Sequence, residues 1–320
     1  MLISLQLSLS DKESDTFSKS LRRHSISPYS VEYSKRQFGI ESKKIAVALP
    51  LYLREAIGIF LKKRPFYDLL SIQNCPIDRN LPPTPNIEFK SSLKNSVLSE
   101  TLLLSISSVL GSPFAIDREN KGFLIHNIYP VSGYEDKQSS KSSSVLLTAH
   151  TELSCLTRPP DYLMLLGLRE SGRVATQFIK LDDMLQGLSA EEIKILRAPL
   201  YVTELDESLR SNGSQIKTSS FPILGYEHNM NIWRYDVEYT RGTTLASKNV
   251  IRKISRLYDK FLCSVVIGSG DLVIVDNKKV AHARTSFKAS YDGTDRWIQR
   301  VNLYKGVAKN YYSTDEIVAI

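Results

Sequence analysis

Two side chains able to hold a metal close the apolar run LLTAHTELSC, residues 146–155, where His150 and Glu152 stand two positions apart. In an extended strand, positions i and i+2 share a face, roughly 6.5–7 Å apart at Cα, so an imidazole and a carboxylate can converge on one cation. The motif alone equally describes a charged strand end. A second segment, GDLVIVDNKKVAHARTSF at 270–287, supplies a partner: a glycine turn, an apolar strand, Asp276-Asn277, and a further strand bearing His282. Two histidines and one carboxylate form the facial triad of non-haem Fe(II), with positions left open for a chelating co-substrate and O2. Zinc is the competing metal, but a catalytic zinc keeps a single open position. In YDGTDRWIQRVNLY, residues 291–304, Arg296, Ile298 and Arg300 share a strand face, with the arginines roughly 13 Å apart. Buried guanidinium groups are costly without anions, and their paired N–H donors match the two oxygens of a carboxylate. Two of them near one iron point to two carboxylate ligands, an oxo-acid and a substrate.

Positioning such groups requires a rigid β scaffold, and the chain supplies one beyond residue 121. Short β-like runs occupy 122–130, 144–150, 161–170, 173–180, 231–239, 264–268, 271–277, 279–285 and 296–304. Helices are expected at LDDMLQGL, at SAEEIKILR and over roughly 244–262. Many short strands separated by turn signals predict a sandwich or jelly roll, not alternating βα units. The first 120 residues read as a helical elaboration of that core, with apolar residues at helical spacing in 51–63 and 93–110, the latter closed by Gly111. The proline-rich DRNLPPTPN connects these two helices. Residues 207–220, ESLRSNGSQIKTSS, are polar and predict a surface loop or lid.

Bulk composition narrows the partners. In 320 residues, 42% hydrophobic and 24% charged content describes a soluble globular chain with ample core. The net charge of +8 keeps polyanions in view, but the basic residues are scattered in short pairs, so no nucleic-acid partner is expected. Three cysteines, far apart and without a C-x-x-C pair, suggest neither a zinc knuckle nor a disulfide framework and fit a reducing cytoplasm. The N-terminal LISLQLSLS alternates like a strand and lacks a basic n-region, and no apolar run is long enough to span a bilayer.

Taken together, His150-Thr151-Glu152, the segment carrying His282, and YDGTDRW with Arg296 resemble the clavaminate synthase-like Fe(II)/2-oxoglutarate oxygenases, a group that includes arginine, asparagine and capreomycidine hydroxylases. The likeness covers about residues 121–305. It implies a mainly β fold with flanking helices, the double-stranded β-helix or jelly roll, with Fe(II) as cofactor and 2-oxoglutarate and O2 as co-substrates. Carried over by position, it makes His150, Glu152 and His282 the iron ligands and Arg296 the anchor of the distal carboxylate of 2-oxoglutarate. Thr176, in RVATQF, matches a threonine donating to that same carboxylate. Arg300 matches the arginine that binds the α-carboxylate of an amino-acid substrate, and Ser140 matches a substrate-binding serine. Asp236 and Glu238, in WRYDVEY, stand where the arginine hydroxylases hold acids against a guanidinium. His126 departs from the glutamine that relatives often carry in the amino-acid pocket. The carboxylate Glu152 favours hydroxylation over halogenation, since related halogenases replace it by a small residue.

The substrate expected is therefore a free, cationic amino acid, of the arginine or lysine kind. Competing readings are oxidation of a modified or carrier-bound intermediate in natural-product assembly, and a non-catalytic jelly-roll binding protein for polyanions. At single positions plainer roles compete too: Asp236 and Glu238 equally describe a solvated strand face, Arg300 a structural ion pair, and His126 a satisfied core histidine. The sequence carries no information on oligomeric state.

Overall fold

The computed structural model describes residues 2–24, 28–29, 44–88, 94–116, 119–172, 174–205 and 217–306. Strands β1 (Ser4–Ser8), β2 (Leu69–Gln73), β3 (Ser112–Phe114) and β4 (His126–Ile128) precede the metal segment. Then come β5 (Leu147–His150), β6 (Tyr162–Arg169), β7 (Ala175–Lys180), β8 (Tyr201–Thr203), β9 (Leu224–Glu227), β10 (Met230–Trp233) and β11 (Thr240–Gly242). The series ends with β12 (Cys263–Val266), β13 (Leu272–Asp276), β14 (Val280–Arg284) and β15 (Trp297–Tyr304). The helices are α1 (Asp11–Arg22), α2 (Leu51–Lys62), α3 (Leu98–Leu110), α4 (Leu181–Met184), α5 (Ala190–Arg197) and α6 (Leu245–Phe261).

Two sheets carry the site. The larger runs β1-β2-β13-β6-β15-β3, with β4 also pairing β15, and the smaller runs β12-β7-β14-β5. Buried residues sort onto three surfaces. One face of the larger sheet packs on the N-terminal helices through Met164, Leu166, Ile274, Trp297 and Val301. Its other face meets the smaller sheet through Leu163, Leu165, Val275 and Ile298 against Phe178 and Val280. Both faces of β6 and β15 are thus covered, which is why YLMLLGLR and WIQRVNLY bury nearly every side chain. The outer face of the smaller sheet is closed by α6, whose Val250, Ile254 and Tyr258 recur every fourth residue. Thr244 and Ser247 form a capping box at its start.

The layered fold agrees with the jelly roll expected from the sequence, and three details differ. First, the stretch before residue 120 is more than a helical elaboration. β1 and β2 pair in parallel and extend the larger sheet through β13, so the helices and the sheet share one core. Second, the strand expected over 231–239 stops at Trp233 and gives way to a turn at 237–239. Asp236 is responsible: its Oδ1 accepts the backbone N–H groups of Glu238 at 2.7 Å and Tyr239 at 2.9 Å, an Asx turn that competes with the ladder. Third, the strand expected over 122–130 shrinks to β4, because residues 120–122 form a turn of 3-10 helix. Of the expected lid, residues 207–216 lie outside the described residues.

Candidate active site

β14 places His282 directly opposite His150 of β5, and the two rings lie 4.3 Å apart between centroids. The strand ends at His150, so Glu152 reaches the same point from the turn that follows. One ligand atom from each of His150, Glu152 and His282 lies within 4.8 Å of the others.

The protonation of these groups suits a cation. His150 Nδ1 lies 2.8 Å from the carbonyl of Thr148, which can only accept, so Nδ1 donates there and Nε2 is the ring nitrogen that faces the site. Burial and the neighbouring His150 push His282 down to about 4, which leaves a neutral ring at pH 7. Burial would raise the Glu152 carboxyl, but Arg300, with His282 and His150, holds it well below the usual carboxylate range. Glu152 Oε1 takes Arg300 Nη1 at 2.9 Å, whereas Oε2 is buried without a hydrogen-bond partner among the described residues and faces His282 Nε2 at 3.5 Å. Two imidazoles and a carboxylate with one unpaired oxygen among the described residues fit a divalent metal of the Fe(II) type.

Beside the triad lies a cavity of about 360 Å³. At one end, Arg296 Nη2 donates to Thr176 Oγ1 at 3.0 Å, and both side chains are buried. Burial, and then the nearby Arg284, lower the Arg296 guanidinium to about 9, the signature of a buried cation short of negative charge. At the other end stands Arg300, which shares the inward face of β15 with Ile298 and pairs across to His126 of β4. Its Nη2 contacts Glu119 Oε1 at 2.7 Å and His126 Nδ1 at 2.9 Å. Burial works to raise the Glu119 carboxyl, but His126 and Arg300 outweigh it and keep it low.

The candidate metal, co-substrate and substrate residues all border this cavity: Ser140, Asp236 and Glu238 line it alongside the triad, Thr176, His126 and the two arginines. The expected strand face of acids is corrected, since Asp236 shapes the turn that carries Glu238. Glu119 and Arg284 also line the cavity, beyond the candidate residues of the sequence. Glu119 stands in an irregular turn with no periodicity to flag it. Arg284 had a signal, because it lies two residues beyond His282 and so on the same face. Its guanidinium donates to the carbonyl and hydroxyl of Ser142 and to the carbonyl of Val145, pinning the serine-rich loop that bears Ser140.

Known proteins resemble this chain in sequence and fold. Residues 109–302 match the family described as taurine catabolism dioxygenase TauD, TfdA family. Enduracididine beta-hydroxylase of Streptomyces hygroscopicus is 28% identical over 86% of this chain and 87% of its own. L-asparagine oxygenase of Streptomyces coelicolor is 31% identical over 79% of this chain and 76% of its own. Asparagine oxygenase, solved with Fe(II), 2S,3S-3-hydroxyasparagine and succinate, superposes with a TM-score of 0.82 at 26% identity, covering 94% of both chains. The non-haem iron oxygenase OrfP, solved with Fe, succinate and (3S)-hydroxy-L-Arg, superposes at 0.81 with 27% identity over 93% of both. No described helix is long and apolar enough to cross a membrane. With sequence, fold and metal-binding geometry in agreement, the chain belongs to the TauD/TfdA family of Fe(II)/2-oxoglutarate dioxygenases, on its clavaminate synthase-like branch.

Proposed function

We propose that the chain hydroxylates a free amino acid with a cationic side chain. His150, Glu152 and His282 hold Fe(II). With iron, 2-oxoglutarate and O2 bound, such a site couples decarboxylation of the oxo-acid, to succinate and CO2, with transfer of hydroxyl to an unactivated C–H bond. Arg296 and Thr176 receive the distal carboxylate of 2-oxoglutarate. That assignment gives the buried guanidinium the negative charge it lacks, and it holds the oxo-acid in one orientation.

Arg300 binds the α-carboxylate of the substrate. Its contact with Glu152 is exchanged for the substrate when that carboxylate turns to the metal, while Glu119 and His126 accept from the α-ammonium. Ser140 borders the same end. The observation that carries the cationic assignment is Glu238: no cation among the described residues pairs with its carboxylate, and it lines the cavity. By contrast Glu88 is paired with Lys141 and Glu204 lies 3.9 Å from Lys217. A guanidinium or ammonium reaching Glu238 from an amino acid held at Arg300 satisfies both ends.

The test is succinate release from 2-oxoglutarate with Fe(II) and O2, screened over the twenty amino acids and ornithine. Stimulation by arginine, lysine or ornithine, with a hydroxylated product, is the expected outcome. Stimulation by neutral amino acids alone would defeat the cationic assignment. Absence of succinate under every condition would defeat the reaction class.

A further inference from the structure

We propose that Asn277 positions Glu152, and that the turn it occupies sets Glu152 against His282. The inference rests on reading Glu152 as a metal ligand. The β5–β14 ladder goes no further than His150 opposite His282, and the next amide, Thr151 N–H, donates to the carbonyl of Tyr235 at 2.8 Å. Glu152 therefore has no strand neighbour, and one side chain takes that place. Its backbone N–H donates to Asn277 Oδ1 at 2.7 Å, and Asn277 Nδ2 donates back to the Glu152 carbonyl at 3.1 Å and to the Pro160 carbonyl at 2.9 Å. An amide carries donor and acceptor side by side, as a backbone neighbour would. A carboxylate, hydroxyl or alkyl group of similar size does not reproduce that pair.

The clamp sits where the chain needs it. Leu153 follows at φ +51, the left-handed region that a branched side chain rarely adopts, so the backbone turns sharply just after the ligand. Asn277 is itself fixed from the far side. Its N–H donates to the Asp161 carbonyl at 3.0 Å. The preceding Asp276, fully buried, receives Arg64 Nε at 2.7 Å and Nη2 at 3.0 Å. β14 starts just beyond this turn, at Val280, and carries His282. One scaffold-held turn thus dictates where two ligands from distant segments stand, and Asn277 is a positioning residue that touches neither metal nor substrate.

Co(II) titration of the full chain, followed by its visible absorbance, tests this beside thermal melting. Loss of a ligand-orienting contact lowers metal affinity by about 10–100-fold, and that weakening is expected for Asn277→Ala. Leu103→Ala, in the remote helical core, provides a stability control. It should bind Co(II) like the native chain even where it melts as early as the Asn277 variant. Native affinity in Asn277→Ala, or equal weakening in Leu103→Ala, would overturn the inference. Should Asn277→Ala fail to fold, Asn277→Gln keeps donor and acceptor but lengthens the clamp by one methylene. It is expected to fold and still weaken Co(II), and native affinity there again overturns the proposal. Glu152→Ala separates the two readings. If it binds Co(II) like the native chain, the ligand assignment fails; if it loses binding while Asn277→Ala does not, only the positioning role fails.

Discussion

The two ends of the cavity are built from different material. Around Arg296, the partners are strand residues: Thr176 sits in β7, paired with Arg284 of β14 on one side and Val265 of β12 on the other. Around Arg300, only the arginine and His126 stand on strands, and Glu119, Ser140, Asp236 and Glu238 all come from turns and bridges. A ladder fixes a side chain through backbone bonds on both sides, whereas a turn can change length and sequence without disturbing the sheet. The relatives described above are oxygenases named for different amino acids, enduracididine and asparagine. A constant co-substrate suits the laddered end, and a variable substrate suits the end made of turns.

A metal held by His150, Glu152 and His282 would serve both ends, so loss of a ligand should break both at once. Glu152→Ala or His150→Ala is expected to lower succinate release by more than about 100-fold, beyond what loss of an orienting contact does. The two ends should then separate cleanly. Arg296→Met removes a charge-assisted contact worth ~1.5–3 kcal/mol, so KM for 2-oxoglutarate should rise about 10–100-fold. KM for the amino acid should stay within about two-fold, because distant sites act independently. Burial of an underpaired guanidinium costs the native fold, so Arg296→Met is expected to melt no earlier than the native chain in the absence of ligand. Added 2-oxoglutarate at about a hundred times the native Kd should stabilise the native chain by ~2.7 kcal/mol and the variant by only ~0.4–1.4 kcal/mol.

At the other end, Glu238→Gln should act on the amino acid alone. Loss of one charge-assisted contact at a half-exposed position predicts a rise in KM for arginine or lysine of about 5–30-fold, with 2-oxoglutarate unaffected. Equal turnover of arginine and asparagine by the native chain would remove the reason for this prediction.

The same division explains what could be read from the sequence. The two histidines and the laddered end were legible because β periodicity turns spacing into direction: His150, His282 and Thr176 sit on strands, and Arg296 immediately precedes β15, one residue short of the strand expected from 296. The end made of turns was legible only in part. Asp-Val-Glu-Tyr alternates like a strand, yet the Asp236 carboxylate captures two amides ahead of it and bends the chain, a local competition that periodicity cannot register. Glu119 has no pattern around it at all. Asn277 was visible as part of Asp276-Asn277, but its clamp exists only once residues far apart in sequence are folded together. The N-terminal strand was readable in LISLQLSLS, and its parallel partner beyond α2 was not, since pairing across so long a connection leaves no local mark.

The smallest expected effect sharpens the comparison most. Thr176→Val keeps the shape of the side chain and removes only its hydroxyl, which accepts from Arg296 Nη2 at 3.0 Å. A neutral contact of this kind contributes ~0.5–1.5 kcal/mol, so KM for 2-oxoglutarate should rise about 2–10-fold, with kcat at saturation little changed. β-branched valine suits β7 as well as threonine does, so the ladder that carries Arg284 and His282 on the neighbouring strand should hold. A shift in amino-acid KM from this one hydroxyl would mean that the laddered end moves the substrate end through the metal. The separation of a rigid co-substrate site from an adaptable substrate site would then give way to a single coupled cavity, and the readout is two KM values from one variant.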